Sequence, residues 1–338
     1  MKKRWMILVL LLGVVMAITS CQPVPPPEGP DKTQTSGLPV EPVTFKLAGL
    51  KGPTSMGLAS LVTDAKAGKE TFNIEFDVVA SPEEIVPKIV RGDCDLAAVP
   101  SNLAATLYNK TEGGIVVLAI NTLGVLDIVE RGDTIHSIAD LAGKKIYASG
   151  QGAVPEYVMN LLLDRSGIDP DTGVELDWMS EHSAIVSQLA TEPDSIALLP
   201  QPFVTIAQSK IPDLRLALDL NDDWSRLIQE SGLVMGVLIA RKEVVDGHPE
   251  AVDAFLRRYE TSIKLTNESP QEASVMIENL DVFDAVISQK AIPFCNIYFS
   301  SGSSMKETLS GFLDLLFEIN PQTVGGALPP DEFYYGAR

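Results

Sequence analysis

From Val43 onward the chain alternates short aliphatic and β-branched runs with amphipathic helical stretches. No other feature limits its fold as strongly, because strand, crossover helix and strand in succession build parallel sheets covered by helices. Thr44–Leu50, Phe72–Val79, Cys94–Val99 and Ile115–Ile120 read as the strands of a first series. Between them Leu58, Leu61, Val62 and Ala65 share one helical face, and Ser81-Pro82-Glu83-Glu84 opens a helix with a capping box and proline at its first position. A second series reads Lys144–Ala148, Val174–Trp178, Ile196–Leu199 and Leu214–Leu218, each followed by a helical pattern. Val234–Ala240 is one more strand, and almost everything after it is helical, with Val252, Phe255, Leu256, Tyr259 and Ile263 at helical spacing. Two series predict two α/β lobes, each a mainly parallel sheet flanked by helices. A chain of 338 residues with 45% hydrophobic side chains has apolar surface enough for more than one core.

Ahead of that body stands a different kind of segment. Met1-Lys2-Lys3-Arg4 is basic, Trp5 to Ile18 is a fourteen-residue apolar run, and Thr19-Ser20-Cys21 closes it. Such a run falls short of the roughly 20 residues that span a bilayer, so residues 1–20 read as a secretory signal peptide. Its ending resembles the lipobox of bacterial lipoproteins, which implies that Cys21 is acylated and anchors the protein outside the cytoplasmic membrane. Residues 21–42 then form a linker, where Pro23, Pro25, Pro26, Pro27, Pro30, Pro39 and Pro42 favour an extended spacer. Residues 1–20 contain three basic side chains and no acid, so their removal turns the formal charge of −19 into −22. An acidic body repels nucleic acid and anionic headgroups, which leaves the lipid as the membrane contact and a monomer as the expected state.

Ligands of open parallel sheets bind outside the carboxyl ends of the strands, where helix N-termini present N–H groups. The junctions at those ends are residues 52–57, 100–102, 121–124, 150–156, 180–181 and 200–202, all rich in Gly, Pro, Ser and Asn. None of them holds Lys, Arg, His or Cys, and their only acids are Glu156 and Glu181. No nucleophile stands beside a base. His136, His182 and His248 are scattered without zinc-type spacing, so no metal is expected. Gly150-Gln151-Gly152 lacks the third glycine of a dinucleotide fingerprint, so no cofactor is expected either. Cys94 and Cys295 stay open between a disulfide and two core thiols. The pattern is that of a binder, not an enzyme.

Several stretches then resemble the solute-binding lipoproteins of ABC importers, in the branch related to nitrate, taurine, alkanesulfonate and thiamine-precursor binding proteins. Residues 48–57, from Ala48-Gly49 to Met56-Gly57, look like the first ligand loop, and Gly92-Asp93-Cys94-Asp95-Leu96-Ala97 like a strand entry. Asp133 to Ile146, with Ser137-Ile138-Ala139-Asp140-Leu141-Ala142-Gly143-Lys144, is similar to the family's strand-crossing segment. Residues 236–243 and His248-Pro249-Glu250 match its return strand and the helix after it. The resemblance implies a type II periplasmic-binding-protein fold, with lobe I over 43–133 plus 234–338 and lobe II over 134–233. It also implies a cleft lined by Ser55, Met56, Ser101, Asn102 and Asn121 from lobe I and by Gly152, Ala153, Val154, Glu156 and Gln201 from lobe II. The implied partners are a small-molecule ligand and the ABC permease subunits.

Glu156 is suited to an amine or ring N–H, and Trp178 or Trp224 to stacking on a planar group. With no basic residue in the loops, a nitrogen heterocycle or amino-acid-like solute is the expected ligand. A sulfonate- or nitrate-type anion is the alternative, since helix N-termini alone can hold one. A clamshell enzyme related to menaquinone or thiamine-pyrimidine synthesis and a sensor or adhesion lipoprotein are the other classes compatible with the sequence.

Overall fold

A computed structural model describes residues 41–229 and 231–337. The signal peptide expected over residues 1–20, the lipidated Cys21 and the linker up to residue 40 lie outside the described residues. The body alternates as its pattern predicts. β1 (Val43–Leu50) leads through a single turn of helix, α1 (Pro53–Met56), into α2 (Ala59–Lys66). β2 (Phe72–Val79), α3 (Pro82–Arg91), β3 (Leu96–Pro100), α4 (Ser101–Lys110) and β4 (Ile115–Thr122) follow. The capping box that opens α3 is present in both directions between Ser81 and Glu84. Next come β5 (Leu126–Glu130), β6 (Lys145–Ser149), α5 (Val154–Arg165), β7 (Glu175–Met179) and α6 (His182–Thr191). β8 (Ile196–Pro200), α7 (Phe203–Lys210), β9 (Arg215–Asp219) and α8 (Leu220–Leu227) complete the middle of the chain. β10 (Gly236–Arg241) returns, and α9 (Lys242–Gly247), α10 (Pro249–Glu268), α11 (Pro270–Asn279), α12 (Ala285–Ala291), β11 (Ile297–Ser300) and α13 (Gly302–Ile319) end it.

These strands form two sheets. The first has the order β11-β4-β10-β3-β1-β2, with β1 to β4 running one way and β10 and β11 against them. The second has the order β7-β6-β8-β5-β9, in which β5 alone runs against its neighbours. Helices flank both sheets, so the two-sheet α/β class read from the sequence stands.

Two strands are absent from the sequence reading, and one of them moves a boundary. β5 pairs with β8 and β9, with Asp127 opposite Leu199 on one side and Asp219 on the other. The chain therefore passes from the first sheet to the second at residues 123–125, whereas the expected lobe I ran on to residue 133. The other omission is β11, a four-residue edge strand paired with β4.

Apolar side chains on one face of each sheet join a single continuous cluster. It includes Ala97, Val117 and Leu309 on the first side and Ile128, Ile146 and Val158 on the second. Trp224 of α8 packs on Phe312 of α13 at a ring separation of 5.6 Å, and its Nε1–H donates to the Ser231 carbonyl at 2.8 Å. That makes Trp224 a core residue between the two sheets. Trp178 is half-buried and packs against the same cluster. Cys94 and Cys295 are two separate buried thiols.

Candidate functional site

One edge of each sheet collects the strand ends that matter. In the first sheet β1, β2, β3 and β4 finish where β10 and β11 begin, and in the second β6, β7, β8 and β9 finish where β5 begins. Residues 123–125 join the two edges directly. Leu123 N–H donates to the Asn296 carbonyl at 3.0 Å, and the Asn296 amide donates back to the Gly124 carbonyl. Farther out, Phe203 at the start of α7 meets Phe283, just ahead of α12, edge to face at 6.3 Å. The helices α4, α5, α6 and α7 all begin at these edges, with their unpaired N–H groups and the positive ends of their dipoles.

On the first sheet, Ser55 and Asn121 are buried at 0% and 1% exposure, yet Ser55 Oγ and Asn121 Nδ2 have no hydrogen-bond partner. The Asn121 carbonyl oxygen is engaged, accepting from Thr122 Oγ1 at 3.0 Å, so its amide nitrogen is the end left over. Both side chains sit in space that only glycine leaves open. A Cβ on Gly49 would collide with Ser55 Oγ, and one on Gly236 would come within 2.6 Å of Asn121 Oδ1. A buried polar atom without a partner costs about 1–3 kcal/mol, and these two donors are unspent at the first sheet edge.

The other three residues expected from lobe I are held by the fold itself. Met56 is fully buried among Phe45, Leu58 and Ile263 in the core, so its thioether is packing. Ser101 Oγ donates to the Val234 carbonyl at 2.6 Å and its N–H to the Met235 carbonyl at 3.2 Å, which ties α4 to the returning chain. Asn102 turns its amide toward the Thr323 carbonyl, 3.4 Å away, on the same helix face as Thr106.

On the second sheet, Gln201 is 3% exposed and links three elements. Its N–H donates to the Val125 carbonyl at 2.9 Å, its Nε2 to Asp127 Oδ2 at 3.2 Å, and its Oε1 accepts from Thr205 Oγ1 at 2.8 Å. Asp127 is itself 4% exposed, and its carboxyl is pushed up to about 8, first by burial and then by Asp219 across the ladder, with the Gln201 bond working against them. It is therefore uncharged at neutral pH. The sequence signal for it is a lone acid inside the apolar run Val125-Leu126-Asp127-Ile128-Val129.

His182, the first residue of α6, is the second functional candidate that sequence reasoning passed over. It lies one position beyond the 180–181 junction. Its Nδ1 is 2.5 Å from Ser149 Oγ at the end of β6, and its ring lies on Phe203 with centroids 4.7 Å apart. Burial lowers its pKa, so the imidazole is neutral near pH 7. With Nδ1 accepting from the Ser149 hydroxyl, Nε2 carries the proton and is a donor. Ser149 and His182 have the contact of a nucleophile with its base, but among the described residues no carboxylate hydrogen-bonds the imidazole to orient it.

The 150–156 loop gives a different result from the one expected. Glu156 folds back so that its carboxylate accepts from Gly152 N–H at 2.5 Å, and Tyr157 OH donates to the Gly152 carbonyl at 3.0 Å. Glu156 thus caps its own helix and does not reach into the cleft. Val154 is a core residue, while Gly152 is exposed and Ala153 half-buried at the start of α5. The nitrogen heterocycle or amino-acid-like ligand rested on Glu156 together with an aromatic ring. With Glu156 engaged and Trp224 in the core, that expectation falls.

Residues 65–287 match the family model described as "ABC transporter, phosphonate, periplasmic substrate-binding protein". A Brucella abortus chain named as a binding protein is 26% identical over 167 residues, 49% of this chain and 50% of its own, so the chain spans about half the length of the curated relatives it matches. The crystal structure of an ABC transporter protein from Parabacteroides distasonis superposes with a TM-score of 0.72 at 24% identity, covering 86% of this chain and 98% of its own. The periplasmic aliphatic sulphonate binding protein of Escherichia coli gives 0.68 at 13% identity, covering 87% and 92%. Those structures carry the fold, and the matched model covers most of the body: the chain belongs to the phosphonate ABC-transporter family of periplasmic substrate-binding proteins.

Proposed function

We propose that this protein is the capture subunit of an ABC importer, and that it takes a small oxyanion of phosphonate or sulfonate type between its two sheets for delivery to the permease. The observation that carries the reading is the pair of buried, unpartnered donors, Ser55 Oγ and Asn121 Nδ2, on the first sheet edge. A tetrahedral oxyanion presents several strong acceptors and, when fully ionised, no donor. Hydroxyl, carboxamide and imidazole N–H groups, set among the N-termini of α4, α5, α6 and α7, match that demand without any fixed positive charge. His182 Nε2–H and the Gly152-Ala153 backbone would complete the second half of the site. Asp127 does not oppose it, because a neutral carboxyl neither repels an anion nor lacks a proton to donate. With a formal charge of −19, the chain's long-range field repels anions, so affinity has to come from short, desolvated hydrogen bonds.

In this reading the first lobe is the sheet of β1 to β4 with β10 and β11, and the second is the sheet of β5 to β9. Residues 123–125 and 231–235 act as the hinge, and the lipid on Cys21 tethers a monomeric trap beside the permease. Isothermal calorimetry on the chain from residue 22 tests the ligand class, with methylphosphonate, ethanesulfonate, nitrate and a thiamine-type aminopyrimidine as probes. Saturable binding of one of the first three is expected. Binding of the aminopyrimidine with none of the anions would overturn the reading.

A further inference from the structure

Asp127 is the second residue of β5, the strand that starts at the second sheet's ligand edge directly after residues 123–125. It is buried between Leu126 and Ile128, and its register partners are Leu199 of β8 and Asp219 of β9. Two acids directly opposite on a ladder have their Cβ atoms about 5 Å apart, so they resist carrying two charges together. Asp219 serves as the cap of α8, accepting from the N–H groups of Asn221 and Asp222. Asp127 receives one hydrogen bond, from Gln201 Nε2 at 3.2 Å, and among the described residues no Lys, Arg or His is ion-paired with it. The other titratable group set against it is the buried Cys295 thiol, raised by its own burial and then by Asp127.

The same strand shows what a structural acid is given in this fold. Glu130, its last residue, is also buried, and Arg215 Nη2 meets it at 2.6 Å. Asp127 has no such cation, and burial together with Asp219 keeps its proton in place up to about pH 8. Its partner Gln201 stands at the junction where β8 gives way to α7, one of the helix N-termini set around the proposed anion. The junctions there contain no Lys or Arg. A charge appearing on Asp127 would therefore act on a bound anion through poorly polarisable surroundings, with nothing opposite in sign between them. Resting on the function proposed above, we propose that Asp127 is a specificity-determining residue: as an uncharged carboxyl it admits an oxyanion to the cleft, and as a carboxylate it turns the same anion away.

Isothermal calorimetry with ethanesulfonate, which keeps a single charge throughout, reads this between pH 7 and pH 9, with circular dichroism checking that the fold is intact at each pH. Affinity follows the protonated fraction of Asp127, so the wild type is expected to bind about tenfold more weakly at pH 9 than at pH 7. Asp127→Asn, which has nothing to ionise, is expected to keep its pH 7 affinity at pH 9. Asp219→Asn retains a capping acceptor for α8 but removes the acid opposite Asp127, so its affinity is expected to fall at a lower pH than that of the wild type. If methylphosphonate alone binds, the same comparison is read as the ratio of wild type to Asp127→Asn, in which the probe's own titration cancels. A wild-type affinity that holds at pH 9, or a loss that Asp127→Asn shares, overturns the inference and leaves the proposed function standing. Should Asp127→Asn fail to fold, the Asp219→Asn profile decides, and an unshifted one overturns the inference. No anion bound at pH 7 refutes the proposed function, and this inference with it.

Discussion

Replacing Asp127 with asparagine isolates the most unusual electrostatic feature of the fold. The folded chain holds the Asp127 proton up to about pH 8, while the ordinary value for the group is 3.8. Burial is the main cause. Asp219 adds to it from across the ladder, where its side chain is fixed as the cap of α8, accepting from Asn221 N–H at 2.8 Å. Between the two values the folded state binds one proton more than the unfolded state. The stability this supplies is fully present below the lower value and is lost as pH rises through the upper one. At 1.36 kcal/mol per pH unit, the interval caps the loss at roughly 6 kcal/mol. Asparagine has nothing to ionise and keeps an acceptor for Gln201. Urea unfolding of both proteins at pH 5, 6, 7 and 8 reads the difference, in which His182 and every other shared group cancels. The stability of Asp127→Asn relative to wild type is expected to rise by about 1.4 kcal/mol per pH unit from pH 5 to 7 and to level off as pH passes 8. A difference that stays flat would show that Asp127 ionises normally and that the carboxyl is solvated in solution.

Two further outcomes follow from the cleft geometry. Phe203→Ala removes the ring that bridges His182 and Phe283, a contact worth about 0.5–1.5 kcal/mol, so the ligand should leave about three- to tenfold faster in stopped-flow dissociation. An unchanged off-rate would mean that this ring does not help hold the lobes together. His182→Gln is expected to weaken anion binding about tenfold by calorimetry, whereas Asn102→Ala should leave affinity unchanged and lower only the unfolding midpoint. The reverse ranking of those two variants would refute the placement of the site.

The architecture was legible because period-2 and period-3.6 apolar patterns alternate through the body, and each half completes its own sheet. β5 escaped because Leu126–Glu130 follows β4 after only three residues and carries acids at both Asp127 and Glu130. That single omission shifted the lobe boundary. The polar residues Ser55, Asn121 and Gln201 are legible at the junctions after β1, β4 and β8. Side-chain direction was not: Asn102 and Ser101 sit at the right junction but turn toward Thr323 and Val234, and Met56 and Val154 face the cores. Glu156 was ambiguous between capping and ligand, and its 2.5 Å bond to Gly152 decides for capping.

Small-angle scattering from the chain beginning at residue 22, recorded with and without saturating methylphosphonate, tests the clamp most directly. A trap that closes about residues 123–125 and 231–235 should shrink, giving a smaller radius of gyration and a changed profile at intermediate angles. Superimposable profiles under conditions where calorimetry shows the anion bound would contradict a cleft that closes on its cargo.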